Sequence, residues 1–139
     1  TAIRRQRQMC IRDSNKSEDL FEKEINQSEL NLTAGRSVVC VDRNGDGAYG
    51  IYVANYGGPT RFYELIKDRI KDQAKSLSID KITGGRAIVS GHILSDRSDI
   101  FAANERGDNF LYYNSKGSFQ DVLKSMQFKI DLKMVEELH

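Results

Sequence analysis

The chain has 139 residues, of which 39% are hydrophobic and 29% are charged, and its formal net charge is +1. These values are typical of a soluble globular protein with one ordinary core. No apolar run approaches the length of a membrane-spanning helix, so we expect no membrane insertion. The basic N-terminus lacks the apolar stretch of a signal peptide, so a secretion signal would have to lie outside this sequence.

Residues 1–17 are predicted to be a disordered or non-native tail. The first fourteen residues contain four arginines and one aspartate, and they account for the positive net charge of the chain. A basic arm can bind nucleic acid. Neither an aromatic platform nor a basic helix follows this one, so we expect no nucleic-acid partner. Residues 18–139 are predicted to form the folded part.

An internal repeat of about fifty residues organises the rest of the chain. Gly35-Arg36 recurs fifty positions later as Gly85-Arg86, and Ile51–Asn55 recurs forty-nine positions later as Ile100–Asn104. The repeat units lie near residues 34–83 and 84–128. Part of a third unit precedes them, and the sequence stops inside a further repeat, so we expect the chain to be an incomplete piece of its domain.

Each unit contains short apolar and β-branched runs between Gly- and Asn-containing turns, which predict strands. In chain order the predicted strands are 37–41, 49–54, 61–63, 87–90, 99–103 and 109–113. Three or four strands per unit predict an all-β, partial β-propeller of about two blades. Blades bury their faces only against neighbours, and two cannot close a propeller.

Short helices remain an alternative at two places. Ile66, Ile70 and Ala74 have helical spacing, as do the apolar residues of 119–126. Between residues 64 and 76, a helical insertion and a fourth strand are both compatible with the sequence.

One loop carries the residue types of a calcium site. Asp42, Asn44 and Asp46 stand at positions 1, 3 and 5 of a D-x-N-x-D-G pattern, and Ala48 supplies an inward carbonyl at position 7. Hard cations such as Ca²⁺ take six to eight oxygens in loops of this form. Gly50 occupies position 9, where a further carboxylate is usual. We therefore expect weak binding, with a Kd on the order of 10⁻⁴–10⁻³ M.

The same pattern begins the loop of an EF-hand, and its dipeptides also occur in bare hairpin turns. An EF-hand requires a bidentate Glu at position 12 and flanking helices, whereas this chain has Val53 there and β-rich flanks. A bare hairpin turn stays open, because Asn44-Gly45 and Asp46-Gly47 are both strong turn dipeptides. The equivalent loop of the second unit, 92–99, lacks the pattern and is predicted to be a structural turn.

Other sequence features bear on compartment and catalysis. The sequons at Asn26 and Asn31 predict glycosylation of a secreted protein. The sequence contains no nucleophile elbow, H-E-x-x-H or P-loop, and only two histidines. We therefore expect a protein that is not an enzyme.

The segments VVCVDRNGDGAYGIYVANYGGPTRFYEL and TGGRAIVSGHILSDRSDIFAANERGDNFLYYN resemble the FG-GAP repeats of the cartilage acidic protein family. The resemblance implies a secreted or matrix-facing β-propeller that binds an extracellular protein or matrix partner. It also implies calcium loops between strands, with Asp42, Asn44, Asp46 and Ala48 as donors, and Gly50 departs from the family's acidic residue. The alternatives are an integrin-α-like or bacterial-type FG-GAP propeller with a purely structural loop, or a propeller-based enzyme whose site lies outside this chain.

Overall fold

A computed structural model describes residues 34–126 of the chain. Apart from a helical turn at residues 123–126, the regular structure of this part is entirely β. Its eight strands are β1 (Gly35–Val41), β2 (Gly50–Pro59), β3 (Arg61–Ile66), β4 (Arg69–Asp72), β5 (Ile82–Gly91), β6 (Asp99–Asn104), β7 (Phe110–Ser115) and β8 (Ser118–Asp121). The predicted tail, 1–17, and the sequons at Asn26 and Asn31 lie outside the described residues.

The strands form two antiparallel units, β1–β4 and β5–β8. Within each unit, every strand pairs with the next one along the chain. The two units meet where β2 pairs with β5, with Tyr56 opposite Gly84. A four-stranded up-and-down unit repeated beside a copy of itself is the arrangement of propeller blades. The predicted all-β, partial propeller-like fold is confirmed, with one blade-like unit for each sequence repeat.

The register of the two units is the same in detail. The first two strands of each unit have a register shift at the Gly-Arg pair, between Gly35 and Ser37 in β1 and between Gly85 and Ala87 in β5. A shift of this kind marks a β-bulge. The Gly-Arg repeat of the sequence therefore corresponds to a bulge that occurs once in each unit.

The fourth strand, not a helix, follows β3. Lys67 and Asp68 have positive φ angles of 50° and 59°, which make the tight hairpin turn between β3 and β4. The helical spacing of Ile66 and Ile70 is a coincidence of this hairpin, in which Arg69 pairs with Ile66. Within residues 34–126, helix-like geometry is limited to a turn at residues 74–78 and to the helical turn at 123–126.

One apolar core joins the two units. The rings of Tyr52 and Tyr112 meet edge to face at 6.4 Å between centroids, and those of Phe62 and Phe119 do so at 6.1 Å. Such aromatic pairs add to the stability gained from buried area. The buried cluster consists of Val41, Tyr52, Phe62, Ala74, Ile79, Ile100, Ala102 and Tyr112.

Within residues 34–126, no helix has the length and apolar character needed to cross a membrane.

Candidate metal site

The predicted metal loop connects β1 to β2 and is folded around the carboxylate of Asp42. Its Oδ1 accepts hydrogen bonds from the backbone N–H groups of Gly45 (2.7 Å) and Asp46 (3.2 Å), and its Oδ2 accepts one from Gly47 (3.0 Å). Gly45 and Gly47 have φ angles of 73° and 83°, which glycine adopts without a steric penalty. The D-x-N-G-D-G pattern therefore closes an exposed loop in which backbone amides surround one carboxylate.

Asp46 continues the same arrangement. Its Oδ1 accepts a hydrogen bond of 2.9 Å from the backbone N–H of Ala48. An ionised carboxylate has about four lone-pair sites, and this bond uses one of them. Asp46 is exposed, so most of its accepting capacity faces solvent. The structure thus brings Asp42, Asp46 and Ala48 together within one loop.

Asn44 is placed differently. Its backbone carbonyl accepts a hydrogen bond from the guanidinium of Arg97, in the loop between β5 and β6. Its Oδ1 lies against Gly117, so close that a methyl group added there would be 2.8 Å from it. The side chain of Asn44 is therefore turned toward the second unit. It lies on the exposed surface of the loop, with a cationic group beside its carbonyl.

Gly50 can contribute only its backbone. It is buried at the start of β2, and a Cβ atom there would lie 2.8 Å from Cζ of Phe62 and 3.0 Å from Cγ of Glu64. The aromatic ring and the Glu64 side chain occupy the space that a longer residue would need. A carboxylate at position 9 of the loop would therefore have to displace one of these two side chains.

Arg43 links the loop to both units. Its guanidinium forms a two-point ion pair with Glu64, at 2.8 and 2.9 Å, and also donates to the backbone carbonyl of Gly117 at 2.7 Å. Both side chains of the pair are largely buried, at 20% and 12% exposure. A planar guanidinium suits such bidentate contacts. Both carboxylate oxygens of Glu64 therefore bind Arg43, and the contact of Arg43 with Gly117 attaches the loop to the β7–β8 hairpin.

Asn114 makes a second connection between the loop and the other unit. Its Nδ2 donates to the backbone carbonyls of Arg43 (3.0 Å) and Ser98 (3.1 Å), and its Oδ1 accepts from the N–H of Gly117 (2.8 Å). The residue is only 2% exposed. Its amide group therefore satisfies buried backbone groups from both units. Sequence reasoning missed it, because its partners are distant in the chain.

The second loop, residues 92–98, is organised from its other end by Asp99. This carboxylate accepts backbone hydrogen bonds from Leu94 (2.7 Å), Ser95 (2.8 Å) and Asn114 (2.7 Å), and another from the Ser95 hydroxyl (2.8 Å). Burial raises the pKa of Asp99, but the hydrogen bonds outweigh it and hold the pKa below its usual range. Asp99 is fully buried and holds a turn, as the sequence predicts for this loop.

Carboxylates do not cluster densely at either loop. Among residues 34–126, no group of three or more His, Cys, Asp or Glu side chains is arranged to hold a metal ion. A cation at the first loop would therefore depend on its two carboxylates together with amide, carbonyl and water oxygens.

No protein-family model matches the chain. Among curated proteins it is similar to cartilage acidic protein 1 of Homo sapiens, at 40% identity over an alignment of 129 residues that includes 81% of this chain. The same protein of Mus musculus is 39% identical over 81% of the chain, and that of Xenopus tropicalis is 41% identical over 78%. The chain is therefore similar in sequence to one part of cartilage acidic protein 1. It spans about a fifth of the length of cartilage acidic protein 1, namely 20%, 20% and 19% of these three proteins.

Proposed function

We propose that this chain is a segment of an FG-GAP-type propeller of the cartilage acidic protein family, which binds calcium and acts outside the cell. Its role is to present loops to an extracellular protein or matrix partner and not to catalyse a reaction. Two observations support the proposal: the identity of about 40% to proteins whose name places them in cartilage, and the repeated four-stranded unit. Secretion and glycosylation at Asn26 and Asn31 belong to the same proposal.

The calcium part rests on one observation, the arrangement of Asp42 and Asp46 in a single exposed glycine-rich loop. Their carboxylates would hold the ion together with the Asn44 amide oxygen and the Ala48 carbonyl. Asn44 is exposed, so its side chain can rotate away from Gly117 at small cost. Ca²⁺ accepts such mixed oxygen sets with water in the remaining positions. With two carboxylates, we expect a Kd on the order of 10⁻⁴–10⁻³ M, the range of extracellular modules.

The ion pairs and hydrogen bonds of the largely buried acidic residues support the proposal that this is a binding protein and not an enzyme. Glu64 is paired with Arg43, Asp72 with Arg61, and Asp99 with backbone amides. Catalytic acids and bases are usually kept poised by burial or like charges, not neutralised by structural partners. His92 is exposed at the start of the second loop, directly after β5. These groups therefore serve the fold.

Calorimetric titration of the full chain with CaCl₂ tests the calcium proposal. The informative variant is Asp46→Asn, which removes one charge but keeps an oxygen to accept the Ala48 N–H. Asp96→Asn, an exposed acid of the second loop, is the matched control. We expect saturable binding that is about tenfold or more weaker in Asp46→Asn and unchanged in Asp96→Asn, since each ligand charge tunes affinity. A folded sample that gives no binding heat up to several millimolar CaCl₂ would reduce the loop to a turn.

A structural loop without metal is the second candidate. The observation that favours it is the guanidinium of Arg97 on the Asn44 carbonyl, because a resident cation opposes a second one. In that case Asp42 serves only to cap the amides of the turn. The chain would then act through its propeller surface alone.

A further inference from the structure

A cleft of about 320 Å³ opens at the junction between the two units. Its lining includes Tyr56 and Gly57 from the first unit and Ile82, Arg106 and Gly107 from the second. All of these residues belong to the one junction that the described residues contain whole. The cleft therefore does not depend on the outer faces of the two units, which further repeats of a propeller would cover.

The cleft exists because the two strands that join the units diverge there. In the pairing of β2 with β5, Tyr56 lies opposite Gly84, and Pro59 lies opposite Ile82. Two residues of β2 between these pairs thus face one residue of β5, as in a β-bulge. Gly57, inside the bulge, has a φ of 73°, which glycine adopts without a steric penalty. The bulge moves the β2 backbone away from β5 and opens the cleft.

The loop after β6 brings a cation to the cleft. The N–H of Gly84 donates to the carbonyl of Arg106 at 2.8 Å, and the carbonyl of Gly84 accepts from the N–H of Glu105 at 2.7 Å. Arg106 is exposed, and among residues 34–126 no acidic side chain pairs with its guanidinium. Its repeat counterpart, forty-nine residues earlier, is Gly57. The repeated fold does not require this arginine, so its guanidinium is open to a ligand.

Two further arginines meet at Glu105, the residue before Arg106. Cζ of Arg36 lies 4.0 Å from the centroid of the Tyr56 ring, and Nη1 of Arg36 lies 2.7 Å from Oε2 of Glu105. Nη1 of Arg86 lies 3.3 Å from the same oxygen. The hydrogen bond from Arg36 holds the pKa of Glu105 below its usual range. Three positive charges thus accompany one negative charge at this edge of the cleft, and the surroundings already stabilise a carboxylate.

The cleft also has an apolar part. Ile82 is 71% exposed, and an apolar group that covered it would remove its side chain from water at a gain in free energy. A guanidinium such as that of Arg106 binds a carboxylate through two parallel hydrogen bonds. A sulfated polysaccharide would satisfy the charge but has no apolar side chain to cover Ile82. A peptide with an acidic residue next to an apolar one satisfies both parts.

We propose that this cleft binds a peptide segment of a partner protein in which an Asp or Glu lies next to a large apolar residue. The carboxylate of the segment binds the guanidinium of Arg106, and its apolar side chain covers Ile82. The inference rests on the proposed binding function and deepens it, because it names the surface used and the chemistry of the partner. The Asp42 loop takes no part in it.

The test begins with a random peptide library displayed on phage and selected on the immobilised full chain, with calcium chelated. We expect the selected sequences to be enriched in Asp or Glu next to Leu, Ile or Phe. The most enriched peptide is then titrated by calorimetry against Arg106→Glu and Ile82→Ser. Arg69→Glu is the matched control, since Arg69 is an exposed arginine of β4 that does not line the cleft.

We expect Arg106→Glu to weaken binding by about tenfold or more, because a repulsion replaces a charge-assisted hydrogen bond. Ile82→Ser should weaken it by about 3- to 10-fold through the lost apolar contact, and Arg69→Glu should leave it unchanged. A peptide in which Lys replaces the acidic residue should bind Arg106→Glu better than it binds the wild type. An unfolded variant could not gain binding in this way.

Three results would overturn the proposal. The first is a selection that yields no enrichment of acidic residues. The second is heparin binding that requires Arg106 while no peptide does, which would assign the cleft to a sulfated polysaccharide. The third is a peptide whose affinity is the same for Arg106→Glu and Arg69→Glu; the chain would then remain a binding module, and only the cleft assignment would fail. Because calcium is chelated throughout, a failure of the calcium site changes none of these readouts.

Discussion

Asp72 and Asp121 each accept hydrogen bonds from two backbone amides, and the amides bound by one carboxylate are the repeat equivalents of those bound by the other. Oδ1 of Asp72 accepts hydrogen bonds from the N–H groups of Phe62 and Ala74, both at 3.0 Å. Forty-nine residues later, Oδ1 of Asp121 accepts from Leu111 and Leu123, both at 3.2 Å. Each carboxylate therefore ends the last strand of its unit and ties it to the strand beside it. The repeat is preserved at the level of single hydrogen bonds.

Loss of either carboxylate should destabilise the fold. We expect Asp121→Ala to lower the free energy of unfolding by about 1–3 kcal/mol, because two amides lose their acceptor. Asp72→Ala should cost more, since Asp72 also pairs with Arg61 at 2.8 Å. Urea unfolding measures both values. Asp108→Ala is the control: its ion pair with Lys124 is exposed to solvent, so its loss should cost much less stability. Equal losses in all three variants would contradict this account.

Asp99 should make stability depend on pH. Asp99→Asn places an N–H donor among groups that already donate, so we expect a loss of about 2–4 kcal/mol at neutral pH. The folded-state pKa lies below the ordinary value of 3.8. The contribution of the carboxylate is therefore present above pH 3.8 and disappears as the pH falls through the lower, folded-state pKa.

Urea unfolding across this range should show wild type and Asp99→Asn converging in acid. The exposed Asp96→Asn variant, in contrast, should follow the wild type throughout. A stability difference that stays constant down to pH 2 would show that the charge of Asp99 is not what holds the turn.

The two hairpin turns offer a matched pair of substitutions. Asp68 has a φ of 59°, at the position where the second unit has Gly117 with a φ of 92°. We expect Asp68→Gly to stabilise the fold by about 0.5–1 kcal/mol, because the left-handed conformation costs an aspartate more than a glycine. Gly117→Ala should destabilise it by about 1–3 kcal/mol, since the new methyl group would also contact Asn44. Thermal unfolding measures both, and a stabilising Gly117→Ala would refute the turn geometry.

Arg97 should weaken calcium binding. Its guanidinium lies on the Asn44 carbonyl, so Arg97→Gln removes a positive charge from the edge of the proposed site. We expect calcium affinity to rise by about 3- to 10-fold at low salt, and by less at high salt because of screening. Calorimetric titration measures the change, with Arg86→Gln as a control at a remote, exposed arginine. An unchanged affinity would mean that this charge does not reach the ion.

Local patterns explain why most of the fold could be predicted from the sequence. The apolar runs that become β1, β2 and β3 recur as β5, β6 and β7, and most of them begin or end next to Gly or Asn. The fourth strand was ambiguous because Lys67-Asp68 lacks the glycine that marks such a turn in the second unit. Only the repeat-equivalent Lys116-Gly117 could have resolved it.

The loop itself was predictable, and its surroundings were not. Asp42 to Asp46 is a contiguous motif whose closure depends on local hydrogen bonds. The contacts around the loop join residues that are far apart in the chain. Arg97 and Asn44 are 53 positions apart, Arg43 and Gly117 are 74 apart, and Asn114 and Arg43 are 71 apart. No periodicity encodes such contacts, because they follow from how one unit docks on the other. Metal binding at the loop stays a prediction.

The most direct test of the central claim is an NMR titration of the isotope-labelled full chain with CaCl₂, repeated with MgCl₂. We expect the backbone amide resonances of Gly45, Gly47 and Ala48 to shift along one saturable curve. Those of Leu94 and Ser95, in the second loop, should stay in place, and MgCl₂ should produce much smaller shifts, because Mg²⁺ gives up its water reluctantly. Resonances of the Asp42 loop that do not move at several millimolar CaCl₂, or that move equally with MgCl₂, would contradict the claim that this loop is a calcium site.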